Sequence, residues 1–127
     1  MIETHGLIEY LLAFGGDLRD RESLTARQIK RFTDEMPGGF FIYRDDDGQI
    51  LYVNRAVLRT FGCETEEEFR ELTGGTFHGL VHPEDRAAVE ASIREQICDS
   101  RYDLDYVEYR IIRKDGTVCW VEDFGHF

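Results

Sequence analysis

The sequence predicts an α+β domain, and three observations carry that prediction. Two segments rich in aromatic and β-branched residues are each broken by an Asp-Gly turn, Asp47-Gly48 and Asp115-Gly116, the pattern of a β-hairpin. Around them lie segments whose apolar residues recur at helical spacing, two of them marked by a Thr-x-x-Glu/Gln capping box. The 127 residues, 42% hydrophobic and 13% aromatic, supply one core of ordinary domain size and not two.

In chain order, Thr4 to Phe14 places Leu7, Ile8, Leu11 and Leu12 on one stripe of a short helix that Gly15-Gly16 closes. Thr25 with Gln28 forms a capping box for a second helix bearing Ile29, Phe32 and Met36, and Pro37-Gly38-Gly39 ends it. Phe40 to Arg44 and Ile50 to Val53 read as two strands around the turn Asp45-Asp46-Asp47-Gly48. Three consecutive aspartates do not reproduce the alternating oxygen ligands and closing glutamate of an EF-hand loop, so calcium is not the expected occupant.

Asn54 caps a helix from Arg55 to Phe61, and Thr65 with Glu68 opens another that carries Phe69 and Leu72. Pro83 suits the first turn of a longer helix, whose positive end the acids Glu84 and Asp85 complement. Val89, Ile93 and Ile97 then form its apolar stripe. The last quarter is a long hairpin, Tyr102 to Arg113 and Thr117 to Phe127. Its alternation slips between Tyr106 and Val107, which predicts a β-bulge or a sheet covered on both faces.

Charge and cysteine usage narrow the function classes. Fifteen Lys and Arg against 26 Asp and Glu give a net charge of −11, which repels phosphate backbones and anionic lipid. Nucleic acid and direct membrane contact are therefore not expected. Cys63, Cys98 and Cys119 are too few and too scattered for a disulfide framework or a zinc ribbon, and read as reduced cytosolic thiols. No stretch approaches the roughly 20 apolar residues of a membrane helix. The expected location is cytoplasmic, with a membrane anchor in a longer parent protein left open.

The ordered set Pro37-Gly38-Gly39-Phe40-Phe41-Ile42-Tyr43, Tyr52-Val53-Asn54, Phe61-Gly62-Cys63, Val81-His82-Pro83-Glu84-Asp85 and Glu108-Tyr109-Arg110-Ile111 through Lys114-Asp115-Gly116 to Trp120-Val121 resembles a PAS sensor domain over residues 37–127. The resemblance implies a five-stranded antiparallel sheet with helices over one face, preceded by a helical flank over residues 1–36. It implies a bacterial signalling role upstream of a diguanylate cyclase, phosphodiesterase or histidine kinase module in the same polypeptide. The family's last strand, with its exit motif, is absent before Phe127, so the chain reads as a fragment with an unpaired sheet edge.

From the resemblance and strand alternation together, Phe41, Tyr43, Ile50, Val57 and Phe77 are expected to face a central pocket. Ile93, Tyr109, Ile111, Cys119 and Val121 complete its lining. These side chains either fill one another's space or leave room for a small molecule. In flavin-binding relatives a cysteine ahead of the longer helix forms the adduct, and Phe77 occupies that stretch here; Cys63 is a small packed residue at a helix end. Haem-binding relatives take a histidine from the longer helix, and Glu84 to Cys98 contains none. Flavin and haem are both disfavoured. His78 and His82 have the spacing of a metal pair, yet Gly79 and Pro83 interrupt the helix between them and two ligands do not complete a zinc site.

Leu7, Ile8, Leu11 and Leu12 exceed what a lone short helix can hide. They require either the sheet's outer face or a second subunit. A homodimer through these residues, with Ile29 and Phe32, is the expectation. Glu66, Glu67 and Glu68 read as a solvated helix face rather than a catalytic cluster. The leading function is a non-catalytic sensory module. The alternatives are a ligand-free dimerisation module and an NTF2-like enzyme, for which Asp123 is the one residue placed to act as a pocket acid or base.

Overall fold

The computed structural model describes residues 24–99 and 104–126. Helix α1 spans Leu24–Asp34. It already includes Thr25, so the expected capping box does not mark its start. Strands β1, Phe41–Tyr43, and β2, Ile50–Val53, follow around the acidic turn. In that turn Gly48 sits at φ 71°, a conformation only glycine adopts readily. The aspartates are used locally: Arg44 Nε and Nη2 donate to the two Asp47 carboxylate oxygens at 3.0 and 2.8 Å.

Three short helices come next, each started by a side chain the sequence supplies for that purpose. Asn54 caps α2, Arg55–Thr60, by accepting from the Val57 N–H. Thr65 caps α3, Glu66–Thr73, by accepting from Glu68 N–H, while the Glu68 carboxylate reaches back to the Glu64 N–H. Thr76 caps α4, Phe77–Leu80, by accepting from Gly79 N–H. A 3₁₀ turn, Pro83–Asp85, capped by His82 Nδ1, leads into α5, Arg86–Asp99. Proline at the first position costs nothing there because that N–H has no helical partner.

Strands β3, Leu104–Ile112, and β4, Val118–His126, pair antiparallel in unbroken register, from Leu104 opposite His126 to Ile112 opposite Val118. The expected bulge near Tyr106 is absent. Asp105, Val107, Tyr109 and Ile111 point inward, whereas Leu104 and Tyr106 are apolar residues on the exposed outer face. Alternation looked broken only because apolar residues occupy both faces. The irregularity lies instead between Ile42 and Tyr43 in the β1–β2 pair. Among the described residues the two hairpins form separate two-stranded sheets.

Helix α5 lies against the inner face of β3, burying Val89 and Ile93. It and the turn before it also close the outer edge of β3. The Gln96 side-chain amide donates to the Tyr106 carbonyl and accepts from the Tyr106 N–H, both at 2.8 Å. At Arg110, the N–H donates to Asp85 at 2.9 Å and the carbonyl accepts from the His82 N–H at 2.8 Å. The Arg110 guanidinium then grips Asp85 at 2.6 and 3.0 Å, holding that carboxyl down at about 2 through charge-assisted hydrogen bonds.

The junction of these layers is Asn54, fully buried at 0% exposure. Its Oδ1 accepts from the Phe40 N–H at 2.9 Å and the Val57 N–H at 3.1 Å. Its Nδ2 donates to the Thr33 carbonyl at 2.9 Å and the Gly38 carbonyl at 3.0 Å. All four capacities of the amide are used, every one on backbone. Asn54→Ala should cost roughly 3 kcal/mol or more in urea unfolding, because buried backbone groups lose their partners. Asn54→Asp separates a bridge from a simple cap: aspartate is as good an N-cap as asparagine, but here it would turn an anion toward two carbonyls. It should destabilise at least as far as alanine, and wild-type stability in this variant would reduce Asn54 to a cap.

Candidate functional site

The ten residues expected around the pocket converge. Phe41, Ile50, Val57, Phe77, Ile93, Tyr109 and Ile111 are buried in a single apolar cluster, and Tyr43, Cys119 and Val121 pack against it partly exposed. β1 and β2 contribute from one side, α2, α4 and α5 from above, and the inner faces of β3 and β4 from below. The centre is aromatic. Tyr43 and Phe77 stack with ring centroids 4.6 Å apart, Phe41 lies 6.1 Å from Phe77, and Tyr109 meets Phe77 edge-on at 6.1 Å.

Two spaces open beside this cluster. A small cavity of about 130 Å³ is lined by Phe41, Val57, Tyr109, Ile111 and Val121, with Phe61 and Leu80 also present. A wider cleft of about 500 Å³ runs between the acidic turn and α5, floored by Tyr43 and Phe77 and flanked by Ile93 and Ile97. Eight of the ten expected residues line one space or the other; Ile50 and Cys119 line neither and serve as packing.

The inner face also holds two aspartates. Asp105 is 7% and Asp123 5% exposed, and the Tyr109 hydroxyl donates to Asp123 Oδ2 at 2.8 Å. In register terms Asp105 faces Gly125 and Asp123 faces Val107, so the carboxylates are diagonal neighbours on one face. Burial pushes the Asp123 carboxyl up to about 6, with Tyr109 pulling it down and the Asp105 charge pushing it further up. Burial raises Asp105 as well. The hydroxyls of Tyr43 and Tyr109 are held protonated far above their usual range, by burial first and then by these same carboxylates. Asp105 escaped the sequence reading, although its odd-numbered position shares the inward parity of Val107, Tyr109 and Ile111.

The remaining candidates separate. His78 Nδ1 meets Glu90 at 2.9 Å while His82 caps the 3₁₀ turn, so the two histidines face different partners. Among the described residues no group of three His, Cys, Asp or Glu side chains is arranged for a metal. Cys63, Cys98 and Cys119 are free, and burial raises the Cys63 thiol, the reverse of activation. Leu7, Ile8, Leu11 and Leu12 lie outside the described residues. So does the side chain of Ile29, whereas Phe32 stands 61% exposed.

Antiparallel hairpins with helices over one face and cavities between the layers define a small pocket-forming α+β domain. A family model described as PAS fold matches residues 50–127, and the chain belongs to that family. It is thereby a sensory or regulatory domain in general, of a kind that is typically non-catalytic, and the NTF2-like alternative gives way to the PAS fold. No curated protein matches the chain. Among the described residues no helix is long and apolar enough to cross a membrane.

The raised Asp123 carboxyl has a signed effect on stability. Its folded value near 6 lies above the unfolded value of 3.8, so the native state holds a proton that the unfolded chain has released. The corresponding stabilisation is complete below the unfolded value and is lost as pH rises through about 6. At 1.36 kcal/mol per unit this is on the order of 3 kcal/mol. Asp123→Asn should therefore match wild type in urea midpoint near pH 4 and exceed it near pH 7.5. A constant gap at both pH values would contradict the assignment.

Proposed function

We propose that this chain is the input module of a larger signalling protein, taking up a small molecule between its helices and its sheet and passing the change to an output domain. A diguanylate cyclase or histidine kinase module in the same polypeptide is the output that the sequence resemblance favours. The observation that carries the reading is the small cavity beside the aromatic cluster, since a chain that only filled its own interior would leave less space between Val57, Tyr109 and Ile111. A fragment screen followed by ¹H–¹⁵N NMR tests it. Ligands should move the resonances of Val57, Tyr109 and Ile111, and Val57→Phe, which fills the smaller cavity, should abolish those shifts while preserving the circular dichroism. A screen in which no compound moves these resonances would leave the ligand-free dimerisation module as the better reading.

The cofactor and partner assignments belong to the same proposal. The protein should be colourless, because Phe77 occupies the stretch where flavin-binding relatives carry their cysteine and α5 has no histidine for haem iron. An absorbance scan after gel filtration checks this; a co-eluting flavin or Soret band would reverse it. A cytoplasmic homodimer through the amino-terminal stripe completes the reading. It is supported by Phe32 of α1, 61% exposed beside the amino-terminal stripe in sequence. Combining Leu11→Glu with Leu12→Glu should shift sedimentation toward monomer, and a wild type that is already monomeric at high concentration would refute the dimer.

A further inference from the structure

The outer face of the β3–β4 hairpin carries apolar side chains that the described fold leaves in water. Register sets them in rows: Tyr106 opposes Phe124, Glu108 opposes Glu122, Arg110 opposes Trp120 and Ile112 opposes Val118. The Tyr106 and Phe124 rings meet with centroids 4.6 Å apart. Trp120 is 67% and Phe124 49% exposed. The Arg110 guanidinium lies 5.7 Å from the Trp120 ring centroid and is itself held by Asp85, so the exposed indole is fixed in place rather than free to fold away. A sheet face that meets water is ordinarily polar, and contiguous apolar surface on one marks a contact site.

The middle row specifies what covers it. Glu108 and Glu122 stand directly opposite each other on adjacent strands, and like charges so placed repel. A segment with cations and an apolar side chain beside them would relieve that repulsion and cover the aromatic rows at once. Helix α1 is such a segment: in a chain of net charge −11 it carries Arg27, Lys30 and Arg31 against Asp34 alone. Arg31 is exposed, and Phe32 next to it is 61% exposed. Rows of the hairpin lie about 7 Å apart, a distance that the side chains of an adjacent arginine and phenylalanine span. Within one chain α1 is tied elsewhere, by the Thr33 carbonyl to Asn54 at 2.9 Å and by Lys30 to Glu66 at 3.6 Å. Phe32 and Trp120 both remain exposed there, so the match is made between two copies.

We infer that a second copy of this chain covers the face: α1 of one protomer lies across the outer face of the other's β3–β4 hairpin, with Arg31 at Glu108 and Glu122 and Phe32 among the aromatic rows beside them. This rests on the homodimer proposed above and names the surface that receives its α1 side. Two-fold symmetry makes the contact twice. Each contact then needs to bury only about 600 to 1,000 Å² for the pair to reach the roughly 1,200 to 2,000 Å² of stable complexes. The charges fix the register of the helix on the sheet, and the aromatic side chains supply most of the buried area.

Trp120 is the chain's single tryptophan, so its fluorescence reads this face directly. Sedimentation and emission are followed through a dilution series of the 127-residue chain. Wild type should dimerise, with Trp120 emission moving to the blue as the dimer forms. Arg31→Glu, and separately Glu108→Arg combined with Glu122→Arg, should each weaken the dimer at least tenfold with unchanged circular dichroism. A 1:1 mixture of the two variants should regain a dimer of wild-type strength, because each contact in the mixed pair again joins opposite charges; mixing would not repair misfolded protein. Variants that dissociate but do not recombine would overturn the pairing of α1 with this face. A wild-type dimer whose Trp120 emission is independent of concentration, and which the charge reversals leave intact, would overturn the inference and leave a homodimer through Leu11 and Leu12 standing. A wild type that stays monomeric would overturn both.

Discussion

A single buried amide organises the amino-terminal half of the domain. Asn54 joins the end of α1, the Gly38 loop, the entry to β1 and the start of α2, and each link is to backbone rather than to a side chain. Backbone partners make the bridge independent of what the neighbouring side chains are, and dependent on their path. With that path set, Phe41 and Val57 are delivered to the same small cavity from β1 and α2. The second hairpin is then attached through helices: the Lys114 N–H donates to the Phe61 carbonyl at 2.8 Å, and the Lys114 ammonium meets Glu68 at 3.1 Å. In the described residues the hairpins share no strand pairing, so these helix-borne contacts and the shared apolar cluster hold the two sheets in place.

Local chemistry was legible in the sequence wherever it acts over a few residues. The Gly48 and Gly116 turns, the caps at Asn54 and Thr65, and Pro83 at a first turn stand where their residue types place them. The ten pocket residues converge because strand parity and helical stripes both sort apolar side chains inward. What the sequence concealed has the opposite character. Asp105 is inward despite its charge, and Leu104, Tyr106 and Trp120 are outward despite being apolar, so hydrophobicity misreports their faces. Asn54 was readable as a cap and not as a bridge, because Thr33, Gly38 and Phe40 reach it from up to 21 residues away.

The inner face therefore has two regimes side by side. Around Val57, Ile111 and Val121 it is an ordinary apolar interior, where shape and volume decide what fits. Around Asp105, Asp123, Tyr43 and Tyr109 it is a low-dielectric polar site, where charge and proton occupancy decide. Tyr109 belongs to both: its ring lines the apolar cavity while its hydroxyl serves Asp123. A change in the protonation of Asp123 is thus adjacent to the apolar core, through one side chain.

The closure of the β3 edge has a consequence for how this domain meets other chains. Gln96 offers Tyr106 a side-chain amide that imitates a peptide unit of a neighbouring strand, and Asp85 with the His82 N–H does the same for Arg110. An incoming strand would have to displace α5 and its preceding turn to pair there, so that border is insulated against templated sheet growth. β4, by contrast, pairs only with β3 among the described residues. Among the described residues the hairpin is consequently asymmetric: its β3 border is closed to an incoming strand by α5 and the turn before it, and β4 carries no comparable side-chain cover.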